Sequence, residues 1–241
     1  MKVFLTVFIL YFGLNSTVFA QLSFFFDEAN SFFAENVSAN GEVDYESIKS
    51  NPKALNSLVE FISTADLKVS KNEKFAFYLN AYNILTIKQV VDNYPIKSPL
   101  DVDGFFDKKK FQVSYKSMTL NEIENDIIRP VYQDPRIHFA LVCAALSCPP
   151  IRPYAFMPLK VDQQLETVTK KALNNTEFIK VDNTGKKVQT SMIFNWYMSD
   201  FANTNKGVIE YINKYRTTPI PLDYGYSNYD YNWTLNKKKV K

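Results

Sequence analysis

The residues best suited to chemistry lie close together in the sequence. The stretch HFALVCAALSCPP, residues 138–150, contains the single histidine of the 241-residue chain, His138, and its two cysteines, Cys143 and Cys148. A thiol becomes a good nucleophile when a base or a positive field stabilises its thiolate, and His138 is the one imidazole that could be that base. The three residues could form a catalytic set, a disulfide beside a histidine, or part of the core.

The spacing favours Cys148 over Cys143 as the partner of His138. Residues 136–143 are predicted to form a buried strand, in which side chains alternate between the two faces, so His138 and Cys143 would point apart. Four further residues precede Cys148, and the chain could turn back there toward His138. The two prolines directly after Cys148 have no N–H group, which removes backbone donors that could stabilise its thiolate.

A disulfide between Cys143 and Cys148 is a third option, because an exported protein can form one if the strict geometry is met. A metal site is poorly supported, since one histidine and two cysteines fall short of a closed structural set. No glycine-rich phosphate loop or other cofactor motif is present. The sequence therefore predicts neither a metal nor a cofactor.

A second group of polar residues lies in the helical stretch FAFYLNAYNILTIKQVV, residues 75–91. This stretch is apolar on nearly every side, which is typical of a helix in the middle of a domain. Asn80 and Asn83 share one of its faces. A buried amide is costly unless it is hydrogen-bonded, so these amides either tie the helix to a loop backbone, which is the commoner use, or line a polar cleft.

Composition and the N-terminus indicate an exported globular protein. Apolar residues make up 46% of the chain and charged residues 22%, and the net charge is +3. No patch mixes basic and aromatic residues, so no nucleic-acid partner is predicted. Lys2, the apolar run 3–14 and the motif at 18–20 predict a signal peptide over residues 1–20. No later apolar stretch reaches the ~18 residues of a transmembrane span. Residues 21–241 are therefore predicted to form one soluble domain, periplasmic or secreted.

The pattern of elements predicts an α+β class with a long buried central helix and a small sheet with hairpins, because helices and strands mix without βαβ alternation. Capping boxes at Ser70–Glu73 and Thr119–Glu122 predict the starts of helix 71–93 and of a short helix that ends at Pro130. The other predicted helices and hairpins cover residues 51–62, 106–115, 161–172, 178–190, 193–201 and 207–215.

Residues 40–236 resemble a widespread family known as domain of unknown function 547. The family signature is similar to DPRIHFALVCAALSCPP (134–150), and its other motifs are similar to FAFYLNAYNILTI (75–87), MTLNEIENDIIRP (118–130), IFNWYMSDF (193–201) and YNWTLN (231–236). The matching positions outside the signature are Asn80, Tyr82, Asn83, Glu124, Arg129, Trp196, Asp200 and Trp233. The sequence departs from the family at Val142, where Asn is usual, and at Ala144, where Gly is usual.

The resemblance implies no established activity, but it places His138 and both cysteines in the family signature. The family also occurs in plant cytosolic proteins, where stable disulfides are unusual. The resemblance therefore argues against a purely structural disulfide between Cys143 and Cys148. One hypothesis is a thiol-dependent hydrolase or acyl-transferase whose candidate catalytic residues are Cys148 and His138. The candidate substrate-binding residues are Asn80, Asn83, Arg136 and Glu124.

The alternative is a non-catalytic binding or scaffold domain, in which the His, Cys and Asn side chains form a structural polar core. The sequence identifies neither a substrate nor a protein partner. An open cleft that reaches both Cys148 and His138 would favour the enzyme.

Overall fold

A computed structural model of the chain describes residues 21–239, and the predicted signal peptide, residues 1–20, lies outside the described residues. Helices and two small sheets are mixed along the chain, which confirms the α+β class. In chain order the α-helices are α1 (residues 21–36), α2 (Tyr45–Ser50), α3 (Lys53–Thr64), α4 (Lys71–Asn93), α5 (Leu120–Glu122), α6 (Arg129–Tyr132), α7 (Val161–Leu173), α8 (Ile193–Trp196), α9 (Met198–Phe201) and α10 (Asn205–Asn213).

Helix α4 lies at the centre of the core, as the sequence predicts. Its capping box is formed, because the Ser70 hydroxyl accepts from the Glu73 N–H and the Glu73 carboxylate accepts from the Ser70 N–H. It packs against α2, α3, α7 and the segment that follows α5. Most of its side chains from Phe75 to Val91 are buried, so the helix supports elements on several sides.

The helix that begins after Thr119 does not end at Pro130, contrary to the prediction. It runs from α5 through a π-helical segment, Ile123–Ile128, into α6. Pro130 lies just after the π-helical segment, whose last bond runs from the Arg129 N–H to the Glu124 carbonyl, and the helix continues for two residues beyond the proline, to Tyr132. π-Helical turns are rare and occur frequently at functional sites.

The prediction of a strand at residues 136–143 is wrong. Pro135–Phe139 forms a 3-10 helix, and an irregular segment follows it. Asp134 caps this helix by accepting from the Arg136 N–H at 3.0 Å, and Pro135 occupies its first turn. An apolar run this short does not distinguish a strand from a helix by periodicity, whereas Asp-Pro is a helix-start signal.

The strands form a two-stranded sheet, β1 (Phe111–Val113) with β2 (Lys116–Met118), and a sheet of order β3-β4-β5. The hairpin predicted at 106–115 instead turns at Ser114 and Tyr115, both at positive φ, without the glycine or asparagine that usually marks such a turn. The predicted hairpin 178–190 is confirmed as antiparallel β3 (Ile179–Asp182) and β4 (Lys187–Thr190), and β5 (Gly225–Asn228) adds in parallel to β4.

Helices long and apolar enough to cross a membrane are absent from residues 21–239.

Candidate functional site

A cavity of about 270 Å³ lies beside the single histidine and the two cysteines of the chain. His138, Cys143 and Cys148 all line it, together with Glu124 and a set of mainly aromatic and aliphatic side chains. A cleft that reaches both Cys148 and His138 was the feature that would favour an enzyme. A larger, open groove of about 690 Å³ also reaches Cys148, but none of His138, Cys143 and Glu124 lines it. The smaller cavity is therefore the candidate site.

The imidazole of His138 is buried and held by a carboxylate. Its Nε2 lies 2.7 Å from Asp200 Oδ2, and its ring stacks on Tyr197 with centroids 4.0 Å apart. The ionised carboxylate accepts from this nitrogen, so Nε2 carries the hydrogen. In the neutral imidazole Nδ1 is then the acceptor, and it lies 3.9 Å from Glu124 Oε1.

Asp200 is itself fixed by Arg129. The guanidinium donates twice to the Asp200 carboxylate, from Nε at 2.8 Å and from Nη2 at 2.7 Å. The bond from His138 and the bidentate pair with Arg129 hold the pKa of Asp200 well below its usual range, although partial burial acts in the opposite direction. Asp200 therefore remains ionised at neutral pH and keeps the imidazole in one orientation.

The two cysteines are free thiols in direct contact. Their Sγ atoms lie 2.7 Å apart, and Cys148 Sγ also accepts from the Cys143 N–H at 2.9 Å. The Tyr231 hydroxyl lies 3.1 Å from Cys143 Sγ. The Cys143 N–H therefore supplies Cys148 Sγ with a backbone donor, which the two prolines after Cys148 cannot supply.

The surroundings act on the two thiols in opposite directions. Burial raises the pKa of Cys148, but hydrogen bonds from the Cys143 side chain, the Tyr231 hydroxyl and the Cys143 N–H together bring it below its ordinary value. Burial and the neighbouring Cys148 raise the pKa of Cys143 well above its ordinary value. Cys148 is therefore the thiol that ionises first, in line with its choice as candidate nucleophile.

The backbone between the cysteines is held by the C-terminal segment. Ala144 has a φ of 59°, which lies in the left-handed region that favours glycine. This backbone conformation explains why glycine is usual at this position in the family that the chain resembles. The backbone N–H of Asn236 donates to the Ala144 carbonyl at 3.0 Å, and the backbone N–H of Leu146 donates to the Thr234 carbonyl at 2.8 Å. The same segment brings Tyr231 and Trp233 to the cavity.

The predicted substrate-binding residues are not all at this cavity. Glu124, on the π-helical segment, lines it. Asn80 and Asn83 are buried and hydrogen-bonded, as predicted, but to backbone and outside the lining of this cavity. Arg136 is also outside it and forms ion pairs with Asp134 and Asp162, both at 2.7 Å.

The relation between His138 and the cysteines differs from the strand-based prediction. Because residues 135–139 are helical, His138 and Cys143 do not lie on opposite faces of a strand but line one cavity. No hydrogen bond joins the described atoms of His138 to either sulfur.

Asp200 and Tyr231 were not predicted as site residues. Asp200 is 62 positions from His138, and Tyr231 is 88 positions from Cys143, so no local spacing connects them. The only signal was the family resemblance, which included Asp200 among its matching positions. Within residues 21–239, three or more His, Cys, Asp and Glu side chains are nowhere grouped so that they could hold a metal ion.

Comparison with known proteins supports the resemblance over part of the chain. Residues 67–172 match the model of a family described as "Protein of unknown function, DUF547". This segment contains Asn80, Glu124, His138 and both cysteines. No curated protein and no solved structure matches the chain significantly.

Proposed function

We propose that the protein is a thiol-dependent hydrolase or acyl-transferase, with Cys148 as the nucleophile and His138 as its base. The observation that carries this proposal is the cavity shared by Cys148 and His138, with Asp200 behind the imidazole. Asp200 leaves Nδ1 as the acceptor, which is the orienting role that a third group has in nucleophile–base–acid arrangements.

The proposed reaction passes through a thioester. His138 Nδ1 takes the thiol proton, and the Cys148 sulfur attacks an acyl carbonyl carbon. The bond to the leaving group then breaks, and the imidazolium returns its proton to that group. Water or another nucleophile attacks the thioester, releases the acyl product and restores the thiol. The absence of a sulfur–imidazole hydrogen bond is compatible with this role, because catalytic hydrogen bonds are often long until substrate binds.

The test is the rate of iodoacetamide labelling against pH in reduced, folded protein. We expect Cys148 to label fast, with a midpoint below the ~8.5 of free cysteine, because its hydrogen bonds lower its pKa. Replacement H138A should slow labelling near neutral pH by about tenfold, since His138 no longer takes the proton. Incubation with p-nitrophenyl acetate should leave an acetyl group on Cys148, detected by mass spectrometry.

Three variants separate this proposal from the scaffold alternative. C148A should lose the fast-labelling site. C143A should keep it, but with a higher labelling midpoint, because the hydrogen bond from the Cys143 side chain that lowers the pKa of Cys148 is lost. D200N should slow labelling as an incorrectly oriented imidazole would. Equal, slow labelling of both cysteines in wild-type protein, unchanged in H138A and D200N, would contradict the proposal. A Cys143–Cys148 disulfide in protein isolated from its native compartment would also contradict it, because the nucleophile would be consumed.

We further propose that the protein is exported and acts in the periplasm or outside the cell. The support is the basic start and short apolar run of residues 1–20. Intact-mass measurement of the protein from its native host should give a chain that begins at Gln21. A chain that retains Met1 would contradict this proposal.

A further inference from the structure

Glu124 is a buried carboxylate with few partners. Its side chain is 9% exposed, and it borders the cavity from the π-helical segment. Burial and the Glu124 charge raise the pKa of Tyr197, so the Tyr197 hydroxyl remains protonated and can donate to this carboxylate. The other neighbour, His138 Nδ1, is 3.9 Å away, beyond hydrogen-bonding distance. A carboxylate has about four acceptor positions, so most of its capacity is unused.

The lining of the same cavity includes an aromatic wall, formed by Trp196, Tyr231 and Trp233. Their ring centroids lie between 4.8 and 5.8 Å from one another, so the rings pack together and present one continuous surface. Trp196 is 46% exposed, which leaves part of the wall accessible from outside. The face of an indole or phenol ring attracts cations through its quadrupole.

The charges around the cavity favour one class of ligand. Lysine and arginine are absent from its described lining. The nearby Arg129 forms its ion pair with Asp200 and interacts with the Glu124 charge only at longer range. An anionic ligand would meet the Glu124 carboxylate without a compensating cation. The volume of about 270 Å³ lies just below the ~300–1,000 Å³ of sites for drug-sized ligands, which fits a small organic group.

We infer that the substrate of this site carries an ammonium group, primary or methylated, which binds between Glu124 and the aromatic wall. This inference rests on the proposed function only in taking the cavity as the substrate site. Binding of the ammonium group itself requires neither Cys148 nor His138 chemistry. The two proposals can therefore fail separately.

The test uses the intrinsic fluorescence of the protein, because its two tryptophans, Trp196 and Trp233, both line the cavity. Wild-type protein is titrated at constant pH and ionic strength with 2-phenylethylammonium, 2-phenylethanol and 3-phenylpropionate. These probes have similar size and differ in charge, and none has an activated acyl group. We expect the ammonium probe to bind at least about tenfold more tightly than the alcohol, and the carboxylate probe to bind most weakly.

Replacement E124Q should reduce the preference for the ammonium probe to about twofold or less, since the charge is lost and the shape is kept. The matched control is D126N, which removes an exposed carboxylate from the same π-helical segment and should leave the preference unchanged. Equal binding of the three probes, or an ammonium preference that E124Q does not reduce, would overturn the inference.

The C148A variant distinguishes failure of this inference from failure of the proposed function. An ammonium preference in C148A equal to that of wild type supports the inference whatever the labelling experiment shows. C148A keeps Glu124. If C148A lost the ammonium preference while circular dichroism showed an intact fold, the inference would be contradicted, because binding would then depend on the thiol and not on Glu124.

Discussion

Two groups of polar side chains lie in the same core, and their hydrogen-bonding capacity is used to very different extents. On α4, Asn80 donates to and accepts from the backbone of Phe156, and Asn83 donates to the carbonyl of Ala140 and accepts from the N–H of Val142. At the cavity, the Glu124 carboxylate has an uncharged phenol and a ring nitrogen 3.9 Å away as its neighbours. Each amide has a backbone partner for both its NH2 group and its oxygen, and in this sense the first group is saturated, whereas the second is not.

This difference separates a structural role from a functional one. Buried polar groups whose donor and acceptor sides are both held by backbone stabilise one arrangement of the chain and are fixed away from a ligand. Polar groups that are poorly paired beside a cavity reduce stability and are kept where function needs them. The asparagines belong to the first class, and we assign Glu124 to the second.

The two groups are connected through the chain. The bonds of Asn83 hold residues 140–142, the segment that leads directly to Cys143. Asn83 therefore holds the backbone that leads to the cysteines, and neither amide is part of the lining of the cavity.

The largest expected effect is loss of stability on replacing a saturated amide. Asn83→Leu leaves the Ala140 carbonyl and the Val142 N–H buried without partners, and we expect the free energy of unfolding to fall by about 1–3 kcal/mol. For a domain of this size that corresponds to a decrease in Tm of roughly 2–12 °C. Urea denaturation followed by circular dichroism measures it.

The matched control for that replacement is Asn72→Leu, at an exposed position on the same helix. It should change the free energy of unfolding by no more than about 0.5 kcal/mol, as is usual for surface substitutions. If Asn83→Leu were no more destabilising than this control, its hydrogen bonds would not be contributing to stability, and the contrast between the two groups would be lost.

The saturated region was largely predictable from the sequence because its signals are local. The capping box at Ser70 and the all-round apolar pattern determine α4, and two amides within such a helix must find partners. The partners themselves, at Phe156 and Ala140, were not predictable, because they are 76 and 57 positions away.

The site was less predictable, for two physical reasons. The first is that the short apolar run at residues 136–143 fits either a strand or a helix. Asp134 caps a 3-10 helix there, so the prediction that His138 and Cys143 point apart on a strand was wrong. The second reason is that Asp200 reaches His138 only through tertiary packing. The reactive side chains could be identified from the sequence, whereas the fold determines that Asp200 orients the His138 imidazole.

The smallest expected effect, and the sharpest test of the contrast, is the stability of the E124Q variant. Glutamine has nearly the same shape, retains an oxygen that can accept from Tyr197, and removes the charge of a poorly paired buried carboxylate. We expect the free energy of unfolding at neutral pH to change by no more than about 0.5 kcal/mol or to increase slightly, since surplus charge at a functional site opposes stability. Urea denaturation of E124Q and Asn83→Leu under identical conditions compares the two groups directly. If E124Q lost as much stability as Asn83→Leu, Glu124 would be a saturated structural group like the asparagines, and its assignment to ligand binding would be wrong.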